Sequence, residues 1–158
     1  MKTLVVFYSR TGRTRTAAQK LARLLNATVD ELREAGVNRS GAVGYLRAGR
    51  DAMMKRSSEL EPVAAEPAAF DLVVLAGPVW AFTVCPALRS YLAKQGRVIR
   101  RAAFLCTQGG SGAPRAFAEM EALLGQPPAA TLVLLDQEIA RDAVDAELEA
   151  FARKVAAC

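Results

Sequence analysis

A doubly wound α/β domain, with a parallel sheet covered by helices on both faces, is the architecture this sequence predicts. Three observations predict it. Short apolar runs rich in β-branched residues recur along the chain, as in strands buried on both faces. Each run is followed by a segment of helical periodicity, and repeated strand–helix alternation defines this class. The 158 residues, 52% of them apolar, suffice for one core and are too few for two. We therefore read 1–158 as a single domain.

The strands are taken in order. Residues 4–8 (LVVFY), 72–76 (LVVLA), 103–106 (AFLC) and 131–135 (TLVLL) are continuous apolar runs, whereas 27–32 (ATVDEL) alternates as an edge strand does. Between them, 14–25 gathers Ala17, Ala18, Leu21, Ala22 and Leu25 on one helical face. A helix over 86–95 opens on Pro86 and stops at Gly96; one over 114–124 opens on Pro114 and stops at Gly125. The last, 140–156, spaces Val144, Leu148, Phe151 and Val155 by four, three and four residues. Segment 36–67 is about twice the length a crossover needs and is basic, carrying Arg39, Arg47, Arg50, Lys55 and Arg56. Its helix is expected over 42–54.

Composition removes several chemistries. The chain has no histidine, so a Ser-His or Cys-His nucleophile and a His-ligated metal are excluded. Cys85, Cys106 and Cys158 form no C-x-x-C pair, and their odd number fits a reducing compartment. Residues 1–60 hold 12 basic and 5 acidic side chains against 9 and 11 in the remainder, which suits an anionic ligand or an acidic partner surface, or equally a plain solvated basic surface. Nucleic acid is disfavoured, because no basic run is interleaved with aromatics. No stretch has the length of a signal-peptide core or a membrane span, so a cytoplasmic protein is expected.

In an open parallel sheet the ligand lies outside the carboxyl ends of the strands, where strand order reverses. Three loops there carry chemistry. The first, Ser9, Arg10, Thr11, Gly12, Arg13 and Thr14, offers hydroxyls, backbone N–H groups and a helix N-terminus to a phosphate; a plain hydroxyl-rich N-cap is the bland alternative. The second follows Gly77 with Pro78, Val79, Trp80, Ala81, Phe82 and Thr83, and holds the only tryptophan, suited to stacking on a planar ring or to ordinary packing. The third, Thr107, Gln108, Gly109, Gly110, Ser111 and Gly112, allows backbone amides to approach a flat ligand. ATP- and NAD-type phosphate loops fail: Gly36 and Gly41 have Walker A spacing, but Ala42 replaces the lysine, and Gly110-x-Gly112 continues to Arg115. No loop carboxylate and no metal cluster suggests a catalytic side chain or a metal site.

These residues resemble the flavodoxin family: Val5, Val6, Phe7, Ser9, Gly12, Thr14, Ala18 and Leu21 match its signature, and the second and third loops fall where that family binds its ring. The resemblance implies a flavodoxin-like, five-stranded parallel sheet of order 2-1-3-4-5, of the short-chain type, binding FMN. The phosphate would lie in 9–14, the isoalloxazine against Trp80, and its pyrimidine edge on the amides of 107–112. Three departures stand out. The pI of about 9.4 favours an acidic redox partner; the third loop lacks a second aromatic; and Ala81 stands where the family often has a glycine, at a steric cost for positive φ. That third departure implies weaker stabilisation of the one-electron-reduced flavin. The expected function is flavin-mediated electron transfer. Alternatives are an NAD(P)H-dependent FMN or quinone reductase, with Arg39, Arg47 or Arg50 holding a phosphate, and a flavin-free interaction module.

Overall fold

The computed structural model of the chain describes residues 1–54 and 56–158, so Lys55 of the basic insert lies outside the described residues. Five strands run parallel: β1 (Thr3–Phe7), β2 (Thr28–Glu31), β3 (Leu72–Trp80), β5 (Ala102–Gln108) and β6 (Thr131–Leu135). Their order across the sheet is β2-β1-β3-β5-β6, which is the flavodoxin-like 2-1-3-4-5 arrangement once the short β4 (Thr83–Val84) is set aside. Phe7 pairs with Ala76 and Ala76 with Leu105, so three strands run in register toward the same rim.

Alternation along the central strands sends side chains to both faces, and both are buried. Val5, Phe7, Val74, Ala76 and Leu105 pack beneath α1 (Arg13–Leu25) and α6 (Asp145–Ala156). Leu4, Val6, Leu75, Phe104 and Cys106 pack beneath α3 (Pro86–Gln95) and α4 (Ala113–Leu124). The central stretch of each of these strands is thus continuously apolar, because there neither face meets water.

Two sequence expectations are corrected. The third strand does not stop at Ala76. It continues to Trp80, turns at Ala81 and Phe82, and returns as β4, antiparallel with Trp80 opposite Thr83. Ala81 (φ 48°) and Phe82 (φ 61°) both sit in the left-handed region, the geometry that matches hairpin twist. The last helix begins at Asp145 rather than residue 140, because α5 (Asp136–Ala140) forms separately and Asp142 at φ 58° breaks the chain between them. Lys20 of α1 ties that break down by bridging Asp142 and, at 2.6 Å, Asp145.

The insert supplies α2 (Gly41–Met53), which packs over β3 and β4 at the carboxyl rim. Asp30 fastens its return by accepting the Ala64 and Ala65 N–H groups at 3.0 and 2.9 Å. No described helix is long and apolar enough to cross a membrane.

Candidate functional site

The three loops meet. Thr14 Oγ1 lies 2.8 Å from Thr107 Oγ1, joining the first loop to the end of β5. Gly112, at φ 108°, joins the third loop to the hairpin: a Cβ there would stand 2.8 Å from Phe82 Cα and 3.0 Å from Val79 Cγ1. Only glycine permits both that φ and that approach.

Between them lies a cleft of about 560 Å³. Arg10, Thr11, Arg13 and Thr14 line it from the first loop, Pro78, Val79, Trp80 and Ala81 from the second, and Thr107 and Gly109 from the third. The remaining sequence-selected residues surround the cleft or brace it. Ser9 Oγ accepts the Gly12 N–H at 3.0 Å and shapes the first loop. Gln108 spans its own loop, donating to the Gly110 carbonyl at 3.1 Å and accepting the Ala113 N–H at 3.0 Å. Gly110 and Ser111 are exposed on the rim, and Phe82 projects to solvent at 56% exposure. Thr83 faces away: its buried hydroxyl contacts Glu119 and accepts from Arg89 at 3.3 Å.

Part of the lining comes from outside the three loops. Helix α2 brings Tyr45, Leu46, Ala48, Gly49 and Arg50 against the cleft. A second aromatic therefore faces the site, supplied by the insert and not by the third loop. The Arg10 guanidinium lies 5.3 Å from the Tyr45 ring centroid, a cation–π distance. No sequence signal marks Tyr45, because nothing in the insert fixes where its helix lands.

Arg39 is also corrected. As a candidate phosphate ligand it would need a free guanidinium, yet its side chain is 4% exposed and is held by Glu34 at 2.5 and 2.7 Å and Asp51 at 3.0 Å. Arg50 lines the cleft with its side chain 57% exposed, although it also contacts Asp51 at 3.2 Å.

One carboxylate reaches the cleft: Asp136, the first residue after β6. Burial pushes its pKa above the ordinary aspartate value, and the charges of Arg13 and Arg10 pull it partly back. Applying the carboxyl-end rule to a fourth loop finds it. Elsewhere burial raises the Cys85 thiol to about 12 and pushes Cys106 up further, leaving both as protonated packing groups. Among the described residues no cluster of His, Cys, Asp or Glu is arranged to hold a metal.

The residues present fit a phosphorylated flat ligand such as FMN. Hydroxyls, two arginines and the first turn of α1 suit the phosphate. Trp80 and Tyr45 suit a planar ring, and the glycine-rich third loop brings backbone polar groups to its edge. A Cβ on Gly110 would meet nothing, and one on Gly109 only Asp136 Oδ2 at 4.0 Å, so that edge is open.

The chain has the flavodoxin-like fold, and solved structures across nearly its whole length share it. A flavoprotein from Lactobacillus acidophilus NCFM, crystallised in complex with FMN, superposes with a TM-score of 0.74 at 16% identity, covering 89% of this chain and 97% of that one. A provisionally assigned flavoprotein from Bacteroides uniformis ATCC 8492 gives 0.78 at 20% identity over 96% and 97%. A flavodoxin from Streptococcus pneumonia TIGR4 gives 0.58 at 16% identity over 99% of both chains. No protein-family model and no curated protein matches this chain.

Proposed function

We propose that the protein binds FMN in the cleft and transfers electrons through it. The observation that carries this reading is the convergence of hydroxyls, arginines and two aromatic rings on one cleft, held by the Thr14–Thr107 and Gly112–Phe82 contacts. That set suits a ligand with an anionic tail and a planar head. The L. acidophilus neighbour's complex with FMN supports the choice of ligand.

Bound FMN would supply the electron transfer itself, and the protein's work is binding, orientation and tuning. Thr11, Thr14, Arg10 and Arg13 would neutralise and cradle the phosphate. Trp80 and Tyr45 would enclose the ring and limit water. The amides around Gly109 would meet its polar edge. No side chain is assigned as general acid or base.

The net charge of +5 favours an acidic redox partner in the cytoplasm, where three free cysteines are at ease. A second reading, reduction of a small planar acceptor with NAD(P)H, is favoured by one observation: α2 adds lining to the cleft beyond the three loops, including the half-exposed Arg50 as a contact for a phosphate.

Colour tests the first reading. A purified yellow protein, or apoprotein that takes up FMN stoichiometrically and releases a phosphorylated flavin in acid, is expected; a colourless protein that ignores FMN refutes it. Steady NAD(P)H oxidation with a quinone would select the second reading.

A further inference from the structure

We propose that Arg39 is a positioning residue for Trp80, so that the insert orients the aromatic wall of the cleft. The inference rests on the FMN reading only in giving Trp80 a ring to meet. Its other premises are geometric.

The Arg39 guanidinium carbon lies 5.2 Å from the Trp80 ring centroid, within cation–π range. It is held there on three sides. Nε and Nη2 donate to the two Glu34 oxygens at 2.5 and 2.7 Å, and Nη1 donates to Asp51 Oδ2 at 3.0 Å. Both anchors are themselves fixed: Glu34 bridges to Leu60 across the insert, and Asp51 belongs to α2. The Tyr8 ring meets Trp80 edge-on, with centroids 5.5 Å apart and planes at 84°. The indole is therefore bounded by Tyr8, the residue after β1, and by a cation from the insert.

The backbone of Arg39 is equally committed. Its carbonyl accepts from Arg10 Nη1 at 3.4 Å, linking it to the first loop. Helix α2 sits directly on it: a Cβ at Gly44 would come within 2.1 Å of the Arg39 carbonyl carbon. One residue thus touches the first loop, the hairpin and α2, the three elements that border the cleft.

Burying an ion pair is a poor route to stability, since apolar residues of similar volume often serve as well. What a planar, multiply bonded guanidinium supplies and an apolar side chain does not is a fixed orientation for the ring it faces. A purely structural Arg39 would hold the insert and leave the indole indifferent to its charge.

Trp80 is the only tryptophan, so its emission and near-ultraviolet dichroism report this contact directly in the flavin-free protein. The variants are R39K, which keeps the charge without the fork, and R39M/E34Q, which avoids a stranded Glu34 carboxylate. In the double variant Asp51 retains Arg50 at 3.2 Å and Arg56 at 3.6 Å. In R39M/E34Q, acrylamide quenching of the indole should rise at least about twofold and its near-ultraviolet band should weaken, with far-ultraviolet dichroism unchanged. R39K should fall between this variant and the wild type. FMN affinity should drop roughly fivefold to tenfold in the double variant, with inorganic phosphate binding unaltered. Wild-type indole signals in R39K and in folded R39M/E34Q overturn the proposal. If R39M/E34Q does not fold, R39K alone decides, by whether its indole signals move. Failure of the wild type to bind FMN refutes the flavin reading and leaves the indole measurements to judge Arg39.

Discussion

The hydroxyls of Thr14 and Thr107, 93 positions apart in the chain, lie 2.8 Å from one another and are both buried. This contact fixes the distance between the helix α1 N-terminus and the third loop. Removing one hydroxyl leaves the other buried without this partner. Thr14→Val or Thr107→Val should each cost about 1–3 kcal/mol, and the double variant much less than their sum. Denaturant midpoints measure this; full additivity would deny the contact.

The hairpin tip places two residues with side chains where glycine or asparagine is usual. For a residue with a Cβ the left-handed conformation costs roughly 1–2 kcal/mol, and glycine's extra unfolded-state freedom offsets about half of that. Ala81→Gly should therefore stabilise the protein by about 0.5–1 kcal/mol. An urea midpoint below that of the wild type would contradict it.

Asp136 works against an anion in the cleft. Because burial raises its pKa, its ionised form is disfavoured in the folded state, so its charge costs stability at neutral pH and the cost fades as pH falls through its folded pKa. Asp136→Asn should bind FMN or inorganic phosphate roughly threefold to tenfold more tightly at pH 7, with the advantage shrinking in acid. Calorimetric titration at two pH values checks both parts.

Glu34 has the opposite sign. Burial alone would raise its pKa, but Arg39 and Tyr8 beside it outweigh burial and hold it below 4.5; Asp51, beside Arg39 and Arg50, is likewise held below 3.8. Their contribution to stability is present above those ordinary values and is lost as pH falls through the lower, folded-state ones. Stability carried by these two groups should be flat from pH 7 to 5 and fall in stronger acid, and Glu34→Gln should flatten that fall. Midpoints recorded against pH test it, and an identical acid limb in the variant would refute it.

The fold was legible because burial on both faces leaves an unbroken apolar run, as in residues 4–8 and 72–76, and prolines and glycines punctuate α3 and α4. The hairpin was not. Its turn lacks the usual Asn-Gly or Gly signal, and Pro78 argues against a strand running through it. Ser9 through Thr14 could be placed from local pattern alone, since strand, loop and helix are consecutive. Tyr45 and Arg39 could not, because Tyr45 reaches the cleft and Arg39 reaches Trp80 only through the tertiary return of a long insert.

The cysteines have a practical consequence. Cys85 and Cys106 are sealed in the core, whereas Cys158 is exposed beside Arg101 and Ala129, which precede β5 and β6 at the end of the sheet opposite the cleft. A maleimide dye or a gold electrode would thus attach at one pole and leave the other unobstructed, so that Cys158 offers an oriented handle for testing by voltammetry whether a redox group is held there, without engineered thiols.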